Sequence, residues 1–384
     1  MRFLKANKLF NGKQFLAPTA VLVLDDQNKL IEISDTAIVQ NNKIEFFDGI
    51  ITPGFVNAHC HLELSHLKNK IEQHTGIPEF AKQIIHQRAI AYTKEQIHGC
   101  AKAADNEMWA NGVVAVGDIS NGDDSFKVKQ DSKIFYHTFV EVMGLNPINE
   151  TNIFNYGLSF LEQLKQFNLV GSLSPHAPYS SSLQLIEHIA NYNKEHNLPL
   201  TIHNQETEEE THFFLGNKSD FAKLYDFLKL DISWFKAPQL SSLAYYINAI
   251  NKQSILVHNT CSSKNDISMA IDKNCFFCFC PNANLYIENK LPNFNLFKDA
   301  INTSCIGTDS LASNHLLNLI SEVNVLLSHT TIFTVENSLQ MLTYNGAAAL
   351  NITDSFGQLI LGKNTGLNLI DQKNGQLLFK EKLT

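Results

Sequence analysis

Thr52-Pro53-Gly54-Phe55-Val56-Asn57-Ala58-His59-Cys60-His61-Leu62-Glu63 is the stretch on which the reading of the whole chain turns. An apolar run follows Gly49 and ends in two histidines two positions apart. In an extended chain, residues i and i+2 point to the same face. His59 and His61 therefore converge at the end of a buried strand, where two neutral imidazoles can share one divalent metal ion. The plainer alternative is a chance His-x-His on a surface strand. What separates the two is whether other metal-competent residues recur at later strand ends.

Working outward, the run at 51–58 is the first of eight apolar, strand-like segments. The others are 113–118, 134–142, 169–174, 198–203, 254–258, 275–280 and 304–307. Helical patterns lie between them at 78–92, 94–111, 154–167, 183–196, 208–228 and 316–328. Eight strands alternating with helices predict an α/β fold, a (β/α)8 TIM barrel with its site at the C-terminal strand ends. The segment 207–252 is long for one βα unit and predicts an insertion over that site. Residues 20–24 and 30–33 read as strands around a turn, and 357–371 reads as strand, turn, strand. The expected organisation is a small β-sandwich domain formed by both termini, 1–50 and 355–384, bracketing a metal-dependent hydrolase barrel at 51–354.

Composition narrows the partners. The 384 residues carry a net charge of −8, which argues against a nucleic-acid polymer or an anionic membrane. Only Arg2 and Arg88 among the 30 basic residues are arginines, so forked clamps for carboxylates or phosphates are scarce. Arg88, in a helical stretch, reads as a surface residue. Seven cysteines, an odd number in a large chain, argue against a disulfide framework. Cys275-x-x-Cys278-x-Cys280 reads as buried and apolar rather than as a zinc site, because alternate strand positions face opposite ways. With no signal-like segment and no long apolar run, a cytoplasmic protein is expected. Its expected partners are a small-molecule substrate and, at most, a second copy in a homodimer.

Metal-competent and polar residues do recur at strand ends: His176 after the fourth run, His203 and Glu206 after the fifth, His258 after the sixth, Asp309 after the eighth. Singly, each has a bland explanation, such as a histidine satisfying a carbonyl or Asp309 capping a helix. In a barrel, however, these ends face one cavity. On the same reasoning Glu63, with His66, and Asn284, with Asn282, are candidate substrate contacts.

Pro53-Gly54-Phe55-Val56-Asn57-Ala58-His59-Cys60-His61-Leu62, Pro175-His176-Ala177-Pro178-Tyr179, His203-x-x-Glu206, His258 and Gly307-Thr308-Asp309-Ser310 together resemble the amidohydrolase superfamily, in its metal-dependent deaminase and chlorohydrolase branch. The resemblance implies the barrel with its terminal β-sandwich. It implies His59, His61, His203 and Asp309 as ligands of one metal, Glu206 as proton shuttle, His258 as the residue orienting the attacking water, and His176 against substrate. Three imidazoles and one carboxylate suit Zn²⁺, with Fe²⁺ as the alternative. No lysine lies in 171–182 to serve a second metal, whereas Glu141 could join the first. The activity implied is that of an aminohydrolase deaminating a purine-like or other heteroaromatic amine through a metal-bound hydroxide, in the manner of adenosylhomocysteine and aminodeoxyfutalosine deaminases. The same residues would serve a chlorohydrolase or an amide-bond amidohydrolase. A catalytically inactive scaffold is the reading from another class.

Overall fold

Gly54 decides where the first strand of the main body begins. The computed structural model describes residues 1–40 and 43–384. The run expected at 51–58 is divided there between two strands, β4 (Ile44–Pro53) and β5 (Phe55–Cys60). A side chain at Gly54 would sit 2.4 Å from Val114 Cγ1 and 2.9 Å from the Thr365 carbonyl, so only glycine lets the chain pass this crossing. Ile51, Thr52 and Pro53 consequently pair with the C-terminal segment rather than with the barrel-like strands.

The ends of the chain build one six-stranded sheet. Its strands are β1 (Arg2–Leu9), β2 (Ala20–Leu24), β3 (Leu30–Asp35), β4, β13 (Leu367–Lys373) and β14 (Gln376–Lys382), in the order β14-β13-β4-β1-β2-β3. β13 runs antiparallel to β4, and β4 runs parallel to β1. The expected strand pair within 357–371 is corrected. Residues 358–361 form no strand and make single backbone bonds instead, Leu359 N–H to Asn11 O and Gly362 N–H to Leu30 O. The hairpin lies one strand later, around Asn374 and Gly375, both in the left-handed region.

The middle of the chain supplies eight parallel strands in two four-stranded sheets. One holds β5, β6 (Val113–Ser120), β7 (Phe135–Val142) and β8 (Val170–Pro175) in sequential order. The other holds β9 (Thr201–Asn204), β10 (Ile255–His258), β11 (Phe276–Phe279) and β12 (Ser304–Ile306). Their edges are tied. His203 N–H donates to His176 O at 2.9 Å, and Thr308 N–H and Asp309 N–H both donate to His59 O at 3.0 and 3.1 Å. Alternation sorts the first side chains of β5: Val56 and Ala58 join Ala115, Phe139, Val257 and Cys278 in one apolar cluster while Phe55 packs into another, and Cys60, beyond a register shift after Asn57, joins Phe55's cluster. Cys275, Cys278 and Cys280 are all buried.

The helices match the sequence pattern apart from 208–228. That stretch splits into Glu208–Phe214 and Phe221–Phe227, because Gly216 turns left-handed and ends the first helix. Both segments belong to the expected insertion. No helix among the described residues is long and apolar enough to cross a membrane.

One buried ion pair ties β6 to the histidine-bearing strand. Lys129 Nζ lies 2.6 Å from Asp118 Oδ2, both side chains are fully shielded, and Asp118 Oδ1 accepts the Leu62 N–H at 2.7 Å. Lys129 also donates to Ser120 Oγ and Thr138 Oγ1. Removing one partner strands a buried charge. Lys129→Met is expected to cost about 3–5 kcal/mol in urea unfolding, and adding Asp118→Asn to it to recover part of that loss. A single-variant cost below about 1 kcal/mol would show that the pair is not load-sharing.

Candidate active site and metal centre

The strand ends bring together residues up to 250 positions apart. His59 and His61 leave β5 with their Nε2 atoms 3.1 Å apart. Asp309 Oδ1 stands 3.6 Å from His59 Nε2 and 3.3 Å from His61 Nε2. His203, on β9, puts its ring centroid 4.9 Å from that of His59. Its Nδ1–H donates to His176 O at 2.8 Å, leaving Nε2 as its free lone pair. Asp309 Oδ2 accepts from Ser313 Oγ at 2.6 Å, so its other oxygen is the one left facing the imidazoles.

Two features aim this group. Gly307 lets β12 close on β5, since a Cβ there would meet His59 Cβ at 2.7 Å. Asn57, between the strand's apolar residues, donates from Nδ2 to Thr308 Oγ1 at 2.8 Å and accepts Thr308 N–H at 3.2 Å. Asp309 and His258 both sit at positive φ, +56° and +73°, unusual for these residue types. Such conformations persist where surrounding bonds over-determine them.

The donor atoms are spaced as a divalent metal ion requires. Two zinc–nitrogen bonds of about 2.0–2.1 Å at a tetrahedral angle separate their nitrogens by roughly 3.3 Å, close to the spacing of His59 and His61. The ligand atoms of His59, His61 and His203 lie within 4.8 Å of one another, and all three residues are buried. Burial lowers His61 to about 3 and holds His203 well below the usual histidine range, with the neighbouring imidazoles acting in the same direction on both. Both rings are therefore neutral and available as ligands. Burial alone would raise Asp309, but the facing His59 ring first, and then His61 and His258, hold it well below the usual carboxylate range. Three neutral imidazoles and one carboxylate fit a divalent ion.

Glu206 and His258 adjoin this cluster. His258 Nε2 is 3.4 Å from Glu206 Oε1, and His258 Nδ1–H donates to Asn284 Oδ1 at 2.7 Å. Burial first, and then Asp309, push Glu206 well above the carboxylate range. Burial also lowers His258 to about 4 despite Asp309, so its neutral form is the one present at neutral pH. His176 Nδ1 bonds Ser180 Oγ at 2.6 Å; Ser180 in turn donates to Ala177 O, which leaves His176 Nε2 free.

A cavity of about 760 Å³ opens above these groups. Its wall includes His61, His176, His203, Glu206, His258 and Asp309, and its outer part is apolar, with Ile84, Ile153, Leu228 and Trp234. The insertion closes one side, where Tyr225 Oη donates to Tyr179 O at 2.6 Å. Glu63 and Asn284 are buried but do not line the cavity; they hold residues that do. Glu63 Oε1 accepts from Arg88 at 3.1 Å and Glu63 Oε2 from Asn121 N–H. Arg88 is exposed, as expected of a surface residue, and its guanidinium also reaches the cavity wall, with its side chain 35% exposed. Its helix packs on the cavity side, which residue type alone does not reveal. Asn282 turns away to Glu322 and Ser321, and His66 Nδ1 to Glu63 O. Asn121 was missed, although its place at the end of the second apolar run follows the same strand-end logic.

The profile described as the amidohydrolase family matches residues 50–383. A curated relative, adenosine deaminase of Helicobacter pylori, is 26% identical over 96% of this chain and 91% of its own. The crystal structure of Helicobacter pylori aminofutalosine deaminase in complex with methylthio-coformycin superposes with a TM-score of 0.81 at 23% identity, covering 97% of this chain and 93% of that one. An adenosine deaminase from Xanthomonas campestris, solved with bound zinc, gives a TM-score of 0.75 at 18% identity, covering 97% and 85%.

Metal analysis of the purified chain is expected to give about one divalent ion per chain, as a four-ligand site requires. Asp309→Ala is expected to lose most of it, and Gly307→Ala to lower it by displacing His59. Full metal content in Asp309→Ala would put the fourth ligand elsewhere.

Proposed function

The chain belongs to the amidohydrolase family, and from that premise we propose that it is a metal-dependent hydrolase releasing the exocyclic amine of a purine-like substrate as ammonia. The observation carrying this reading is the placement of Glu206. It is a buried carboxyl, held toward its protonated form, within 3.4 Å of His258 and beside the imidazole cluster. The relatives' names, adenosine deaminase and aminofutalosine deaminase, favour an amine over chloride as the group displaced.

His59, His61, His203 and Asp309 would hold the ion, which we take to be zinc. Bound there, a divalent ion supplies Lewis acidity, lowering the pKa of water from 15.7 to about 7. The chain's own residues do the rest. In its carboxylate form Glu206 takes the proton of the attacking water, and the environment that favours its protonated form makes it a strong base whose resulting carboxyl then gives that proton to a ring nitrogen. A carbon–oxygen bond forms, the carbon–nitrogen bond breaks, and the second water proton leaves with the amine as ammonia. His258, its Nδ1 proton committed to Asn284, offers Nε2 as a fixed acceptor that orients the water. His176, with Nε2 free, faces the substrate ring. Excluding solvent from this floor strengthens each of these interactions.

We read the eight parallel strands as one closed (β/α)8 barrel. Support comes from the bonds joining β8 to β9 and the end of β12 to β5. The terminal strands would form the separate small β-sandwich domain, 1–50 and 355–384, around a barrel at 51–354; Leu4, Leu22, Ile51 and Leu369 give it an apolar cluster of its own. Seven free cysteines suit a cytoplasmic setting.

The test is ammonia release from adenosine. Glu206→Gln is expected to keep its metal and lose roughly 10²–10⁴-fold in kcat. Near-native turnover by that variant would remove Glu206 from the proton path. An absence of ammonia from the metal-loaded wild type would overturn the deaminase reading.

A further inference from the structure

His203 and Glu206 both line the cavity, yet a regular strand cannot put them there together. Residues three apart on an extended chain point to opposite faces. Between these two the chain breaks step. Asn204 ends β9, and Gln205 sits at φ +47°, in the left-handed region that a residue of its type rarely adopts. The turn is pinned from both sides. Gln205 O accepts the Cys261 N–H at 2.8 Å, and Gln205 N–H donates to Glu210 Oε1 at 3.0 Å. The Glu206 amide faces the same carboxyl. Gln205 is 2% exposed and Glu210 fully buried, so solvent does not compete for these bonds.

The plainer role for Glu210 is helix capping. It is the third residue of the helix Glu208–Phe214, whose cap is Thr207. An acid at that position ordinarily returns its carboxyl to the amide of the capping residue. Here Oε1 reaches two residues further back, to Gln205. Thr207 serves the helix end with its own hydroxyl, which accepts the Glu209 N–H at 3.3 Å. The carboxyl is thus spent on the turn rather than on the helix. Left-handed conformations of this kind persist where surrounding bonds over-determine them. We infer that Glu210 is a positioning residue: by holding the Gln205 amide, it keeps the turn that delivers Glu206 to the cavity beside His258. The inference rests on the deaminase reading, through the role given there to Glu206, and adds to it the residue that sets where that carboxyl stands.

The experiment measures kcat and KM for ammonia release from adenosine, together with metal content. It compares the metal-loaded wild type, Glu210→Ala, Glu210→Asp, Glu210→Gln, Glu206→Gln and the double variant Glu206→Gln/Glu210→Ala. A misplacement of about an ångström at the proton-transferring group predicts a roughly 10–100-fold lower kcat in Glu210→Ala, with KM within about threefold. Metal content should not change, because His203 precedes the turn. Glu210→Gln keeps an oxygen in the place of Oε1 and is expected to hold kcat within about threefold of wild type, since either side chain accepts the same amide proton. Glu210→Asp keeps the acid but falls short of that amide, so it should lose kcat as the alanine variant does. In the Glu206→Gln background, Glu210→Ala should cost less than about threefold more, because the residue it acts through is already disabled. A fully additive loss in the double variant overturns the inference, as do equal losses in Glu210→Ala and Glu210→Gln. Wild-type turnover in Glu210→Asp overturns it even where Glu210→Ala folds poorly. In each of these cases ammonia release by the wild type leaves the deaminase reading standing. A wild type that releases none overturns both.

Discussion

One carbonyl oxygen holds the centre together. His59 O receives the amide protons of both Thr308 and Asp309, so the residue that presents one imidazole also fixes the backbone presenting the carboxylate. Gly307 permits the approach and Asn57 locks it from the side. The distance between His59 and Asp309 is therefore set by main-chain bonds rather than by flexible side chains. Metal sites need this rigidity, because ligand placement within fractions of an ångström decides affinity.

The same seam gathers a costly set of groups. Glu63, Asp118, Glu141, Glu206, Asp309 and Glu322 are all buried, and of these Glu63 faces Arg88 and Asp118 faces Lys129. Burial first, with neighbouring carboxylates adding to it and hydrogen bonds opposing it, pushes Glu141 and Glu322 up to about 8 and Glu63 to about 7. Carboxyls kept from ionising can hold protons where chemistry needs them. Asp309 is the exception, held ionised by the imidazoles around it. The floor thus sets Asp309, held well below the usual carboxylate range, against Glu206, pushed well above it, the two separated by environment rather than residue type.

Much of this was legible in the sequence. The eight apolar runs located the parallel strands, because strands buried on both faces read as continuous hydrophobic stretches. The histidines and acids at their ends located the cavity, since in such an arrangement those ends face one place. What stayed hidden depended on packing. That exposed Arg88 would also pair with buried Glu63 has no signal in the sequence, because the two are 25 residues apart and meet only through the packing of a helix. Residues 358–361 have the composition of a strand but make only an isolated backbone bond, Leu359 N–H to Asn11 O, in place of a ladder. The Lys129–Asp118 pair gave no signal, because two opposite charges eleven residues apart have no characteristic spacing.

The terminal sheet carries a consequence for the order in which the chain is made. β4 leads directly into β5, yet one of its two neighbours is β13, from residues 367–373. During synthesis the histidine-bearing strand is translated early, while the partner that clamps its entry emerges more than 300 residues later. Until then, that flank of β4 is an open edge of unpaired amides, the surface from which mispairing with other chains begins. Maturation of the centre therefore waits on the synthesis of β13.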